Sequence, residues 1–270
     1  MYKSLRKILL VISTIILTVT LAACGEKSKP ESQPKPLTSQ EVIEKYSEAV
    51  KNVKSFKFTS DLTSKTTSNN PQTSSILGEN GLESSFSKDG ILSTEPFSIL
   101  VNHTMTLSGT SLKISNYINE SNELYIKSGK DAWKKTKSNK SQSEKIDVVK
   151  VLIYDEKFLE SLKNVAGDLK LEEQGDNYVL SYNGTDEKFI PVLTQFDSSS
   201  KSLTNNLTNV ILKNLDFKII VKKSSFEPIE ISFNFESTKS TSSSLTTKTI
   251  AKRTFSEINT AKVTKPEGIQ

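Results

Sequence analysis

The sequence predicts an α+β fold: one large, strongly curved antiparallel sheet with a few helices covering its apolar face. Apolar residues recur at helical spacing in only a few short segments, whereas alternation of apolar and polar residues occupies much of the chain. The clearest alternation is late, in strands around residues 215–222 and 229–236 that a short connection ending at Pro228 joins. This pattern is typical of a long hairpin with one apolar and one solvated face.

The first 23 residues have the pattern of an export signal: three basic residues, an apolar run over residues 8–21, and small residues before Cys24. The segment Leu-Ala-Ala-Cys that ends at Cys24 resembles the lipobox of bacterial lipoproteins. The resemblance implies cleavage before Cys24, a thioether-linked diacylglycerol on that residue, and anchoring to the extracytoplasmic face of the cell membrane. An uncleaved transmembrane anchor is the alternative, which the shortness of the apolar run disfavours because a spanning helix needs about 20 residues.

The charge of the chain is nearly balanced once this leader is set aside. The whole sequence has 36 basic and 31 acidic residues, a formal net charge of +5. Lys3, Arg6 and Lys7 lie in the leader, which leaves 33 basic against 31 acidic residues, or +2. This balance argues against a nucleic-acid partner. The single cysteine excludes a disulfide framework, so the hydrophobic core must supply the stability.

Residues 24–36 are predicted to be the lipidated cysteine and a disordered tether, because they are polar and contain three prolines. Residues 37–270 are predicted to form a single domain. It begins with a helix, since Thr38 and Glu41 have capping-box spacing and an apolar stripe follows over about four turns. At Ser55 the period changes to two, which predicts the first strand.

The central part of the chain is predicted to be mostly strand. Residues 64–75 predict a polar turn region, and the Ser/Thr-rich stretch 237–247 predicts a second long loop. The strands expected between and after these stretches lie around residues 76–87, 90–94, 97–108, 112–118, 123–127, 132–137, 169–171, 178–182 and 249–258.

Three further helices are predicted in the second half. Asp155 is a plausible N-cap for a helix that ends near Gly167. Thr185 is predicted to cap a short helix that Pro191 bends or shortens. A third helix is expected around residues 203–211, and residues 141–154 fit helix or strand equally well.

Catalytic patterns are weak. His103, the only histidine, lies on an apolar strand face with no base, nucleophile or metal-ligand partner placed by the sequence, which favours a structural role. Ser85 with Lys88, and Ser198 with Lys201, have S-x-x-K spacing without the companion motifs of that chemistry. The sequence therefore predicts a protein that is not an enzyme and that needs no cofactor or metal; an envelope hydrolase is the least favoured alternative.

Five segments carry a family resemblance: the lipobox, EVIEKYSEAVKNVKSFKF, ELYIKSGKDAWKK, FKIIVKKSSFEPIEISFNF and FSEIN. Their order resembles that of small Gram-positive lipoproteins related to the lipoprotein-carrier (LolA-like) and LppX/LprG-type proteins. The resemblance implies an open half-barrel wrapped over helices, with a hydrophobic cavity for acyl chains.

The favoured interpretation is a membrane-anchored binding protein that shelters a lipid or other amphiphile between sheet and helices. The alternative is a surface interaction or sensor lipoprotein with a solid core, which binds a protein or a cell-wall polymer through polar loops. Trp133 fits a ligand contact or, more readily, the core. The residues predicted to line the cavity are Phe56, Phe58, Phe217, Ile219, Val221, Ile229, Ile231, Phe233 and Phe235.

Overall fold

The computed structural model describes residues 35–78, 81–137, 155–196, 209–239 and 242–269. The helices and strands of this part of the chain belong to one compact unit, Thr38–Gln270. Several sequence predictions lie outside the described residues: Cys24, the tether up to residue 34, residues 141–154, and Ser198 with Lys201.

Eleven strands are present in the described part of the chain. In chain order, β1 to β11 are Ser55–Ser68, Leu82–Thr94, Phe97–Leu107, Thr110–Ile118, Leu124–Ser128, Lys134–Thr136, Lys170–Gln174, Asn177–Gly184, Val210–Lys222, Pro228–Lys239 and Ser242–Ser256. They form one antiparallel sheet in the order β6-β5-β4-β3-β2-β1-β11-β10-β9-β8-β7. The sheet is open, since β6 and β7 are its two unpaired edges, and it is curved. One large antiparallel sheet with a few helices is the predicted α+β class, which is confirmed.

Four α-helices accompany the sheet in the described residues: α1 to α4 are Ser39–Lys51, Pro71–Leu77, Glu156–Val165 and Ile190–Gln195. The predicted capping box of α1 is confirmed. The Thr38 amide donates to Glu41 Oε2 at 2.7 Å, and the Glu41 amide donates to Thr38 Oγ1 at 3.2 Å. Asp155 caps α3 as predicted, accepting from the Lys157 amide at 2.9 Å. We call the face of the sheet that α1, α3 and α4 cover the inner face.

The predicted polar turn over residues 64–75 is wrong. Strand β1 continues to Ser68, because threonine suits a paired strand and β1 has a partner on each side, β2 and β11. Helix α2 then begins at Pro71, where the missing amide hydrogen costs nothing, and the Asn70 side chain caps it. The strand predicted around residues 76–87 accordingly starts only at Leu82 and runs to Thr94 without a break.

The predicted loop over residues 237–247 is wrong for the same reason. Strand β10 extends to Lys239 and β11 starts at Ser242, so the Ser/Thr-rich stretch is mostly paired strand. Val210 and Ile211 were predicted to be helical and instead open β9, opposite the end of β10. A smaller correction concerns the cap before α4: Asp186, not Thr185, caps the turn Glu187–Phe189 that leads into this helix.

The opposite, outer face of the sheet has its own apolar cluster. Tyr117 and Tyr125 are buried there beside Ile269, with their ring centroids 6.0 Å apart. Trp133 packs against this cluster, partly buried, which places it in a core and not in a ligand site. The C-terminal segment around Ile269 thus covers part of the outer face.

Tyr46, on the buried stripe of α1, has the one buried side-chain oxygen or nitrogen without a hydrogen-bond partner among the described residues. Burial raises the pKa of Tyr46 well above its usual value, against the opposing charge of Arg253. We expect Tyr46→Phe to leave the free energy of unfolding unchanged or to raise it by up to about 1 kcal/mol, because it removes an unsatisfied hydroxyl at constant shape.

Urea denaturation measures this effect, with Tyr125→Phe as the matched control. The Tyr125 hydroxyl donates to Glu123 Oε2 at 3.0 Å, so its removal should lower the free energy of unfolding. A Tyr46→Phe protein that is destabilised as much as the control would show that the Tyr46 hydroxyl has a hydrogen-bond partner.

Glu230 is the acidic centre of an ion network on the outer face. It accepts from Lys252 at 2.7 Å and Lys218 at 2.9 Å, on the two neighbouring strands, and its side chain is 13% exposed. Burial raises the pKa of Glu230, but hydrogen bonds from Lys252, Lys218 and Ser232 outweigh it and lower the pKa to about 2.

Because the folded-state pKa of Glu230 lies below the unfolded value, its contribution to stability is complete above about pH 4.5 and is lost as the pH falls towards 2. We expect Glu230→Gln to lower the free energy of unfolding at pH 7 by about 1–2 kcal/mol, since the two lysines are half exposed and screened. The difference from wild type should vanish near pH 2. A difference that is constant from pH 7 to pH 2 would contradict this account.

Candidate ligand-binding cavity

A cavity of about 510 Å³ lies on the inner face, at the end of the sheet that α4 leaves uncovered. Its floor comes from β1, β2, β3, β10 and β11, with Val210 at the start of β9, and its wall from Leu193, Thr194 and Phe196 in and after α4. The volume is within the range of roughly 300–1,000 Å³ that is usual for small-molecule sites.

Strand register arranges the floor in rows. Nearest to α4, Leu62, Phe86 and Met105 lie directly opposite one another on β1, β2 and β3, and Phe233 continues this apolar row on β10. The next rows are mostly hydroxyl-bearing. Because a strand alternates its faces, each row is two residues farther along the same strands.

Four of the hydroxyls in these rows pair across β1 and β11. Ser64 Oγ and Thr249 Oγ1 are 3.1 Å apart, and Thr66 Oγ1 and Thr247 Oγ1 are 3.0 Å apart. They can therefore line a floor in contact with a nonpolar ligand without leaving unsatisfied groups. Lys239 is the only charged side chain among the described residues that line the cavity. The lining suits an uncharged, largely apolar chain.

Arg253 holds the wall of the cavity in place. This buried side chain, 5% exposed, donates from Nη2 to the Phe196 carbonyl oxygen at 2.8 Å and from Nε to Ser60 Oγ at 3.4 Å. Its guanidinium carbon lies 4.5 Å from the centroid of the Phe196 ring, which in turn meets the Phe233 ring edge-on at 4.8 Å. The end of α4 is thus attached to the sheet through Arg253.

Two of the nine residues predicted to line a cavity, Phe233 and Phe235, do so. The structure places six others in the buried core and Ile229 in a partly buried position at a register shift of β10. The six core residues are Phe56, Phe58, Phe217, Ile219, Val221 and Ile231.

Packing explains why these side chains leave no space beside them. The Phe217 ring lies 5.9 Å from that of Phe189, in the turn before α4. Phe58 lies over Gly90, where an added Cβ would come within 2.9 Å of the Phe58 ring. The helices and aromatic rings therefore fill the inner face at this end, and the cavity lies beyond them.

Sequence reasoning missed most of the lining. The Ser and Thr side chains of the floor follow the same alternation as Leu62 on β1 and Phe235 on β10, so period two continues into the polar stretches. The continued period of two was the sequence signal that could have predicted strands, and inward-facing hydroxyls, in these stretches. The lining hydroxyls are Ser64, Thr66, Ser84, Thr194, Ser237, Thr247 and Thr249.

The candidate catalytic residues are not assembled into a site. His103 faces inward on β3, opposite Lys88 on β2. Ser85 and Lys88 are three residues apart on one strand and so point to opposite faces, which separates this S-x-x-K pair. Within the described ranges, no cluster of His, Cys, Asp and Glu could hold a metal ion, and no helix is long and apolar enough to cross a membrane.

A second depression, of about 860 Å³, lies on the outer face around Glu230. It is larger but shallow, and three of its charged side chains already pair with one another, Glu230 with Lys218 and with Lys252. The inner-face cavity is the better candidate because it combines enclosure by sheet and helix with apolar rows.

The profile of a family described as "Family of unknown function (DUF6612)" matches residues 38–269. The chain belongs to the DUF6612 family. The match covers the compact unit almost completely, so the sheet, helices and cavity described above belong to the DUF6612 domain. Membership of the LolA-like group stays a prediction.

No curated protein matches this DUF6612 chain. Among solved structures, a DUF1329 family protein from Desulfovibrio piger aligns over 79% of this chain and 89% of its own, with 6% identity and a TM-score of 0.22. A structure from a study of dehydratase substrate selection for the borrelidin and fluvirucin polyketide synthases aligns over 70% and 72%, with 9% identity and a TM-score of 0.12. At such TM-scores neither likeness bears on fold or function.

Proposed function

We propose that this DUF6612 protein is a membrane-anchored, extracytoplasmic lipoprotein that binds a lipid or other amphiphile in the inner-face cavity and is not an enzyme. The single observation that carries the proposal is the cavity itself: about 510 Å³, with an apolar row on the floor and an aromatic wall. The lining supplies apolar contact and paired hydroxyls in place of reactive groups.

The chemistry of the lining favours an acyl chain or a similar apolar tail. Burial of each methylene contributes about 0.8 kcal/mol, so a chain of moderate length binds without any charged contact. Lys239, at the end of the cavity farthest from α4, is the one described lining residue that could meet an anionic head group. This distribution of apolar and charged residues supports a ligand whose apolar tail lies inside the cavity and whose head group lies outside.

The alternative function, binding of a protein or cell-wall polymer through polar loops, assumes a solid core, and the cavity on the inner face favours the ligand-binding proposal over it. The two stretches predicted to be long polar loops, residues 64–75 and 237–247, are largely strand or helix. The same strands supply the hydroxyl-bearing part of the cavity floor.

Anchoring is supported by the sequence pattern before Cys24, which lies outside the described residues. Anchor and ligand are separable in one experiment on the full chain, purified from host membranes in mild detergent. Native mass spectrometry should show a mass that denaturing conditions remove, which is the bound ligand, and a second added mass that persists, which is the acyl modification.

Cys24→Ser should abolish only the persistent mass and release the protein from the membrane. Extraction with organic solvent then identifies the ligand class. A chain with no removable mass, and no saturable displacement of a fluorescent fatty acid, would contradict the proposed ligand. A persistent mass that survives Cys24→Ser would contradict the proposed anchor.

A further inference from the structure

The exposed aliphatic side chains of this domain are concentrated around the mouth of the cavity. Of seven large hydrophobic residues that are exposed in the described part of the chain, two lie on the outer face, Ile211 and Ile250. We call the other five the apolar rim: Ile76, Leu82, Met105, Leu107 and Leu112.

The apolar rim is continuous with the cavity floor. Leu82, Met105 and Leu107 line the cavity and are also 40%, 41% and 50% exposed, so they reach from its interior to the surface. Leu112, 47% exposed, lies directly opposite Met105 on the next strand. Ile76, 84% exposed, is on α2, between the ends of β1 and β2.

An apolar tail that enters or leaves the cavity would thus meet the aliphatic side chains of Leu82, Met105 and Leu107 on its way. Exposed aliphatic groups are costly in water, and a contiguous set of them marks a contact surface. Here the apolar rim lies at the opening of a proposed lipid site, which favours a lipid surface as its partner.

The charged residues near the apolar rim indicate which charge a lipid surface in contact with it would carry. We count the described strand ends on this side of the sheet, residues 64–68, 82–85, 106–113, 210–213, 236–239 and 242–248. Glu83 and Glu236 are the only acidic residues of these segments. Their basic residues are Lys65, Lys113, Lys213, Lys239 and Lys248. Lys239 lines the cavity, whereas Lys65, Lys113 and Lys248 alternate onto the outer face, so the excess of positive charge belongs to this end of the sheet as a whole. A positively charged sheet end that also exposes aliphatic side chains is complementary to an anionic lipid surface.

We propose that the apolar rim docks on the surface of an anionic bilayer, so that the cavity mouth faces the membrane and exchanges its ligand there. The inference rests on the proposed lipid-binding function, and it adds the partner and the contacting residues. The aliphatic residues insert among the lipids while the lysines stay at the head-group level.

The test uses vesicle co-sedimentation of the compact unit Thr38–Gln270, which contains all described helices and strands and has no anchor. The vesicles contain phosphatidylcholine with phosphatidylglycerol, or phosphatidylcholine alone. The variant Ile76→Ser/Leu112→Ser changes two rim residues that do not line the cavity, so ligand binding is preserved. Its matched control, Ile211→Ser/Ile250→Ser, changes side chains that are 48% and 49% exposed on the outer face.

We expect wild type and control to bind the phosphatidylglycerol vesicles equally, the rim variant to bind about tenfold less, and all three to bind the neutral vesicles weakly. Native mass spectrometry on the same samples reports the cavity ligand, and circular dichroism reports the fold. Wild type that carries ligand but does not sediment overturns the docking proposal and leaves the proposed function standing. Equal losses in the rim variant and the control also overturn the docking proposal, as does equal binding to neutral vesicles.

Discussion

Arg253→Met is expected to lower the free energy of unfolding by about 2–4 kcal/mol, more than either Glu230→Gln or Tyr46→Phe is expected to change it. Arg253 is buried, and it joins the Phe196 carbonyl oxygen, the Phe196 ring and Ser60. Methionine retains much of the volume and packs on the ring, but it leaves the carbonyl oxygen without that donor. The end of α4 should then separate from the sheet.

Urea denaturation measures the change, and two controls locate its cause. Arg253→Lys keeps the charge but loses the planar fork and the stacking, so it should fall between wild type and Arg253→Met. Lys248→Met, at an exposed position of the same strand, should change stability by less than about 0.5 kcal/mol. If Arg253→Met is as stable as Lys248→Met, the attachment of α4 does not depend on Arg253.

Ser84→Phe is expected to weaken binding of a fluorescent fatty acid by at least about tenfold, because its ring enters the cavity and displaces several methylene contacts of the ligand. Ser84 lines the floor, between Ser64 and Leu107 on the neighbouring strands. The substitution adds apolar area in a space that already exists, so the fold should survive it.

The matched control is Ser85→Phe, which makes the same change one residue later on the opposite face of β2. Fluorescence titration of both variants should show loss of affinity for Ser84→Phe alone, with similar thermal unfolding midpoints. A folded Ser84→Phe protein that binds as tightly as Ser85→Phe would exclude the inner-face cavity as the binding site.

Local signals in the sequence predicted the elements that depend on local chemistry. The capping box at Thr38, the cap at Asp155 and the alternation of the β9–β10 hairpin are all as expected, because each depends on residues within a few positions of one another. Thr66 and Thr247 are the counterexample. They are polar residues in runs typical of loops, and they are strand because β1 and β11 pair at these positions. No local pattern predicts this pairing, because 181 positions separate the two residues in the sequence.

The sequence by itself determined the α+β class, the direction in which each clear strand faces, and the family to which the chain belongs. Only the tertiary structure decided where the inner face is filled and where it is open. Alternation shows that Phe217 and Phe235 share a face, but it does not show that Phe189 covers the first while the second lies beyond α4. That outcome depends on where α4 ends and on how Arg253 attaches it to the sheet, through contacts between residues far apart in the chain.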